Sequence, residues 1–173
     1  MSRNLLIMSA GEHGQVVAET AMAAGTYDKV LFLDDYKMTS EVVGKMEDYA
    51  KQAANYDAVF LAVGNCKRRR EWAKRMNEEG IFPYEKMSAL IHPAAWVSPS
   101  AVLGPGVLVE AMAVINANAV IGQGTIVGIG VKVDHNAEVG EFCHLDTGCI
   151  LGARAYVEDL TKVSAGCIIL ENE

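Results

Sequence analysis

The chain has no apolar run of membrane-spanning length, no CxxC pair and no excess of positive charge. Each absence excludes a class. A bilayer span needs about 20 consecutive apolar residues, and none occurs here. The N-terminus lacks a basic region followed by a cleavage site, so the sequence predicts a cytoplasmic protein without a membrane span. The 22 acidic residues outnumber the 15 basic ones, a formal net charge of −7. That balance argues against nucleic-acid binding, and any anionic ligand must be met by local cations or backbone N–H groups. The four cysteines form no metal-binding or redox signature, and no metal is expected.

What is present is a repeat. Every sixth residue from Ile91 to Ile169 is Ile, Val or Leu, although these types supply only 25 of the 79 residues in the stretch. Chance would give such a run less than about once in a million. Four residues after each aliphatic comes a small or β-branched residue, among them Ala95, Ala113, Thr125, Ala137, Cys143, Cys149 and Cys167. A period of six matches neither a helix nor a lone strand. It matches a hexapeptide β-helix, in which each hexad forms one flat face of a prism and three hexads close a coil. The aliphatic points inward and the small residue fills the corner, so Cys143, Cys149 and Cys167 read as buried thiols. The hexad signature implies left-handed connections between parallel strands, against the usual crossover preference. Outward apolar residues such as Val102, Leu108, Val114, Val120 and Ile126 call for cover, which favours a homotrimer of prisms packed side by side.

The first half alternates strand and helix. Asn4–Ser9, Lys29–Leu33 and Asp57–Val63 read as strands. Gln15–Ala24, Ser40–Ala54 and Cys66–Glu79 read as helices, the last closed by Gly80. This is a small Rossmann-like α/β domain, residues 1–88, followed by a left-handed parallel β-helix, residues 89–173.

Candidate chemistry lies in both halves. The turn Ala10–Gly14 joins a strand to a helix and presents N–H groups to an anion. Asp34 and Asp35 end the second strand, and Gly64 follows the third. All three places are carboxyl ends of parallel strands, where open α/β sheets bind ligands. Lys67, Arg68, Arg69 and Arg70 read as a solvated helix face, with phosphate contact the less favoured alternative. In the β-helix, His135 and His144 lean outward and have no packing duty in their own prism. Each is either a surface or subunit-packing residue or a general base suited to neutral pH. They lie nine residues apart, half of an 18-residue coil, so they can converge only between packed prisms. His92, beside Pro93, reads as structural.

These segments resemble the hexapeptide-repeat sugar O- and N-acyltransferases of the sialic acid O-acetyltransferase and bacillosamine-pathway type. The likeness rests on Ser9–Gly14, Leu33-Asp34-Asp35, Ala62–Asn65, Ile91–Pro93, Val97–Ala101, Asp134-His135-Asn136 and Gly140–His144. The resemblance implies direct transfer from acetyl-CoA to an amine or hydroxyl of a sugar or nucleotide sugar, with His135 as the general base. It implies that His144 and the backbone near Ala165 contact acetyl-CoA in a groove between prisms; Asp134 and Asn136 flank His135 and are grouped with it as catalytic candidates, with Asp134 or a neighbour's carboxylate the substitute for the family's acidic partner. Gly11, Glu12, His13, Asp34, Asp35 and Gly64 would line the nucleotide or sugar pocket.

The sequence also departs from that pattern. Asn136 stands where the family commonly has an acidic residue, and Gly128 where it often has Asn. Glu12 replaces a small residue in the nucleotide turn. The chain stops at Glu173 where relatives usually continue, so Glu171, Asn172 and Glu173 are expected at an open end. These departures keep open a non-catalytic trimeric scaffold or ligand-binding member of the same fold. A metalloenzyme resembling the γ-type carbonic anhydrases would need His92, His135 and His144 to converge.

Overall fold

Two hydrophobic patterns build two kinds of core. The computed structural model describes residues 3–171, which divide into the units Met1–Ser88 and Ala89–Glu173.

In the first unit, β1 (Asn4–Met8), β2 (Lys29–Leu33) and β3 (Ala58–Leu61) form a parallel sheet in the order β2-β1-β3. Leu5, Leu6, Ile7 and Met8 of the central strand are fully buried, as an unbroken apolar run in a doubly covered parallel strand should be. Helix α1 (Glu12–Ala24) begins three residues before the expected start, so Glu12, His13 and Gly14 lie in its first turn rather than in a loop. It stops at Gly25, whose positive φ of 63° lets its N–H reach the Met22 carbonyl. Helix α3 (Cys66–Glu78) is capped by Asn65, whose side chain accepts the Arg68 N–H.

The middle helix is largely absent. Instead of a helix over 40–54 there is a single α turn, α2 (Tyr49–Gln52), flanked by short 3-10 turns. The preceding residues run along the free edge of β2. Phe32 N–H bonds the Glu41 carbonyl, Val43 N–H the Phe32 carbonyl, and Asp34 N–H the Gly44 carbonyl. The β-branched pair Val42-Val43 favours this edge pairing over a helix.

The described residues of the second unit form a left-handed parallel β-helix of fourteen two-residue strands. The strands stack into three faces. The first contains Leu90–Ile91, Leu108–Val109, Ile126–Val127, His144–Leu145 and Lys162–Val163. The second contains Trp96–Val97, Val114–Ile115, Lys132–Val133, Ile150–Leu151 and Ile168–Ile169. The third contains Val102–Leu103, Val120–Ile121, Glu138–Val139 and Tyr156–Val157. Register advances by 18 residues per coil, as in Ile126↔His144 and Lys132↔Ile150. Val109, Ile115, Val127, Leu145 and Leu151 are fully enclosed, with Ala113, Ala137, Cys143 and Cys149 at the corners. Each buried aliphatic contributes about 1.5–3 kcal/mol.

Three expectations change. Cys167 is exposed, because no described coil stacks beyond its own. Leu108 and Ile126, expected to be outward, are buried. Val102 and Val120, on the third face, do remain exposed, and Trp96 and Ile168 on the second face join them. At the far end, Glu171 pairs with Arg154 of the coil below at 2.7 Å; Asn172 and Glu173 lie outside the described residues. No helix among the described residues is long and apolar enough to cross a membrane.

Candidate active site

The corner between the second and third faces carries Asp134, His135 and Asn136. Asn136 adopts a positive φ of 58° to turn the chain, a conformation Asn tolerates better than most residues. The turn is pinned from both sides of the stack. Asn136 N–H donates to the Ala117 carbonyl below at 2.9 Å, and Arg154 N–H above donates to the His135 carbonyl at 3.1 Å. The His135 ring is half-buried, and its Nδ1 lies 2.8 Å from the Asn136 carboxamide. Asp134 Oδ1 accepts the His135 N–H at 2.7 Å and an Asn116 side-chain N–H at 2.9 Å. Those two donors hold the Asp134 carboxyl below the ordinary aspartate range, so it is ionised at neutral pH beside the imidazole.

Next to this corner the second face forms a cavity of about 260 Å³. Its walls include Val114, Asn116, Lys132, Asp134, Ile150 and Gly152. The chemistry is that of an apolar trough with one cation and one carboxylate at its edge. His144 and Ala165 do not come to this corner in one prism. His144 faces outward from the first face, half-buried, and Ala165 lies exposed in the turn after Lys162–Val163. His92 is held locally, its Nδ1 accepting the Ala94 N–H at 3.0 Å. Among the described residues no three His, Cys, Asp or Glu side chains are grouped to hold a metal ion.

The second candidate region lies at the carboxyl ends of β1, β2 and β3, where the strand order reverses around the central strand. A cavity of about 310 Å³ opens there, lined by Ser9, Asp34, Asp35, Tyr36, Gly64, Asn65, Arg68 and Trp72 among others. Gly11, Glu12 and His13 are not in its lining. Gly11 caps α1 and Glu12 is an exposed acid in its first turn, where it complements the helix dipole. His13 is half-buried in that same turn.

The two aspartates differ in role. Asp34 Oδ2 accepts the Ala10 N–H at 2.7 Å and the Ser9 hydroxyl at 3.5 Å, while Oδ1 accepts Tyr36 N–H and Lys37 N–H at 2.8 Å each. Burial opposes its charge, but these N–H donors outweigh burial and keep the carboxyl below its usual range. Asp34 therefore ties the β1 and β2 turns together. Asp35 spends one oxygen on the Met46 N–H at 3.1 Å and lies exposed at the cavity edge. Ser9 itself sits at φ 87°, and a Cβ on Gly14 would come 2.2 Å from its carbonyl oxygen. Glycine at 14 is what allows the helix to start so close to the strand.

The basic run also splits. Arg68 lines the cavity. Arg69 is 1% exposed and donates to the Val63 and Gly64 carbonyls at 2.6 and 3.2 Å, so it is a structural clamp and not part of a solvated face. Sequence patterns gave no role to Asn116, Tyr36, Trp72 or Lys132. Asn116 had a signal, since it precedes Asp134 by one 18-residue coil. Arg68 and Trp72 had one too, being four apart and so on one side of a helix.

The chain matches known proteins across both units. The family model described as PglD N-terminal domain matches residues 4–76. A UDP-N-acetylbacillosamine N-acetyltransferase from Bacillus subtilis (strain 168) is 34% identical over 118 residues, 63% of this chain and 52% of that protein. The match therefore spans about half the length of that curated relative. The acetyltransferase domain of PglB from Neisseria gonorrhoeae FA1090 superposes with a TM-score of 0.87 at 33% identity, covering 99% of this chain and 93% of that one. The same domain in complex with acetyl coenzyme A gives 0.84 at 32% identity, covering 98% and 94%. A mutant of perosamine N-acetyltransferase from Caulobacter crescentus, in complex with CoA and GDP-perosamine, gives 0.80 at 28% identity, covering 98% and 89%.

Proposed function

The chain belongs to the hexapeptide-repeat sugar acyltransferase family, and we propose that it moves an acetyl group from acetyl-CoA to the amine of a nucleotide sugar. The amine is preferred to a hydroxyl because the bacillosamine and perosamine relatives are named as N-acetyltransferases. The observation that carries the reading is the pinned corner with His135 beside an ionised Asp134.

His135 acts as the general base. Either end of the Asn136 carboxamide can face Nδ1. With Oδ1 facing it, Asn136 accepts the Nδ1 proton and leaves the Nε2 lone pair for the substrate. Nε2 takes a proton from the amine as its nitrogen attacks the thioester carbonyl. Asp134 stabilises the imidazolium that forms. When the tetrahedral intermediate collapses, the C–S bond breaks and the imidazolium returns the proton to the departing thiolate. No acyl-enzyme is needed. Orientation and base catalysis together carry the rate, with the base supplying about 10²–10⁴-fold.

The acyl donor fits a trough with apolar walls, Val114 and Ile150, and a cation at Lys132. In a homotrimer, His144 and the Ala165 turn of a neighbouring copy complete the donor site. The exposed Trp96, Val102, Val120 and Ile168 support such packing. The nucleotide sugar occupies the strand-end cavity. There Asp35 accepts from the ligand, Arg68 meets its phosphates, and Tyr36 and Trp72 offer flat faces. Asp34 serves this pocket indirectly, by fixing its turns.

The test is thiol release from acetyl-CoA by the full chain, against UDP- and GDP-linked amino sugars, matched sugars without the amine, and sialic acids. Turnover confined to the amino-sugar nucleotides is expected. Binding of acetyl-CoA with no release on any acceptor would favour the non-catalytic scaffold.

A further inference from the structure

We propose that Asn116 is a positioning residue for His135, acting through Asp134 from one coil below. The inference rests on His135 being the base of the reaction just described.

The carboxamide of Asn116 has a fixed orientation. Its Oδ1 accepts the N–H of Ala117 at 2.8 Å, which leaves the Nδ2 end pointing up the stack to Asp134 Oδ1 at 2.9 Å. Asp134 Oδ1 in turn accepts the His135 N–H at 2.7 Å. Two hydrogen bonds therefore run from the Asn116 side chain to the backbone of the base. The same lower turn grips the next residue too, through Asn136 N–H to the Ala117 carbonyl.

Support for Asp134 comes from one direction. The residues at its position in neighbouring coils are Asn116 below and Gly152 above. Glycine has no side chain to offer, and it opens the space beside Asp134 into the 260 Å³ cavity. An aspartate at the mouth of a cavity, charged and half-buried, has several rotamers available to it. The Asn116 amide selects the one that caps His135 and keeps its charge beside the ring.

This link is not a generic part of the repeat. Asp146 makes the same local bond, accepting the Thr147 N–H at 2.9 Å. Its positions one coil below and above are Gly128 and Ser164, and its side-chain partner is Lys162 at 3.4 Å. The coil needs no amide beneath an aspartate to fold. The pairing occurs where the histidine is. The amide at position 116 suits the link because one end accepts from Ala117 while the other donates to a carboxylate. An aspartate there would set two carboxylates within hydrogen-bond distance of each other.

A coupled mutant set on the full chain tests the idea, using acetyl-CoA and the amino-sugar nucleotide that the wild type turns over. Asn116→Ala should lower kcat about 10-fold, within the range that misplacing a reacting group produces. The acceptor KM should stay within about twofold and the acetyl-CoA KM should change less than kcat, because Asn116 lines the donor trough but spends its carboxamide on Ala117 and Asp134. Asn116→Ala combined with Asp134→Ala should be no slower than Asp134→Ala alone, the non-additivity expected of residues acting in series. Asn116→Asp should be worse than Asn116→Ala, and adding Asp134→Asn should recover part of the loss by restoring a donor–acceptor pair. Multiplicative losses, an unchanged kcat or a loss confined to KM would overturn the inference. If Asn116→Ala fails to fold, the Asn116→Asp and Asp134→Asn pair decides it, and absence of recovery overturns it. A wild type inactive on every acceptor removes the proposed function and this inference together. An active wild type with an equally active Asn116→Ala removes this inference alone.

Discussion

The two units hold a polar turn still by different means. In the β-helix the turn around His135 is fastened by its neighbours in the stack, the Ala117 carbonyl below and the Arg154 N–H above. In the α/β unit the turns at the ends of β1 and β2 are fastened by one carboxylate, Asp34, which receives three N–H groups and a hydroxyl. A stack spreads the load over many backbone bonds. A strand-end crevice concentrates it on one side chain. Side chains at a β-helix corner are therefore free to serve chemistry at little cost to the fold. In the α/β unit the aspartate that looks most like a ligand contact is the one that cannot be spared.

The largest stability effect should come from Asp34→Ala. It strands polar groups at two turns, at a cost of about 1–3 kcal/mol and more if several go unpaired. Denaturant unfolding measures it, and nucleotide-sugar binding should fall with it even though Asp34 is not itself the ligand contact. The same contact carries a pH dependence. Because folding depresses the Asp34 pKa, its stabilisation is complete above the ordinary aspartate value near 4 and is lost as the pH falls through the lower folded value. Wild type and Asp34→Ala should thus converge in stability as the pH falls below the ordinary aspartate range and through the depressed folded value. An unchanged gap at low pH would show that the carboxylate's charge is not what holds the turns.

Gly122→Ala attacks the other side of the comparison. A Cβ there would lie 2.5 Å from the Gly140 carbonyl carbon and 2.7 Å from the Glu141 nitrogen. Both are backbone, so nothing flexible can yield. The expected cost is about 1–3 kcal/mol by thermal or denaturant unfolding. A neutral Gly122→Ala would mean that the stack is slack where its coils touch. His144→Ala should be milder on the fold and act on the acyl-CoA KM rather than on kcat. The smallest effect is expected from Asn136→Asp. A carboxylate beside Nδ1 favours the imidazolium and raises the base's pKa, so the rate should rise a few-fold and the acid limb of the pH profile should move upward.

The β-helix is legible almost residue by residue, because a period of six by itself assigns every position an environment. Val109, Val127 and Leu145 are inward for the same reason that Cys143 and Cys149 are at corners. The scheme fails where a coil lacks a neighbour, as at Cys167, and at Leu108, an outward position that is buried. The α/β unit is legible only as elements. Lys29–Leu33 has the limits its sequence predicts, but Ser40–Ala54 does not form a helix. Its composition says nothing of the open edge of β2 that Val43 completes. Site residues follow the same division. Asp134, His135 and Asn136 come together because they are adjacent in sequence, and Asn116 joins them by one coil's period. The separate duties of Asp34 and Asp35 depend on where Ala10, Ser9 and Met46 point, and no pattern in the chain records that.

The measurement closest to the centre of the account is His135→Ala, assayed as acetyl-CoA thiol release on the amino-sugar nucleotide that the wild type uses. An outward, half-buried side chain at a pinned corner should be removable without loss of fold, so circular dichroism and melting should match the wild type. The expected kcat is lower by about 10²-fold or more, with acetyl-CoA still bound. A folded His135→Ala variant with wild-type kcat under saturating acetyl-CoA would contradict it.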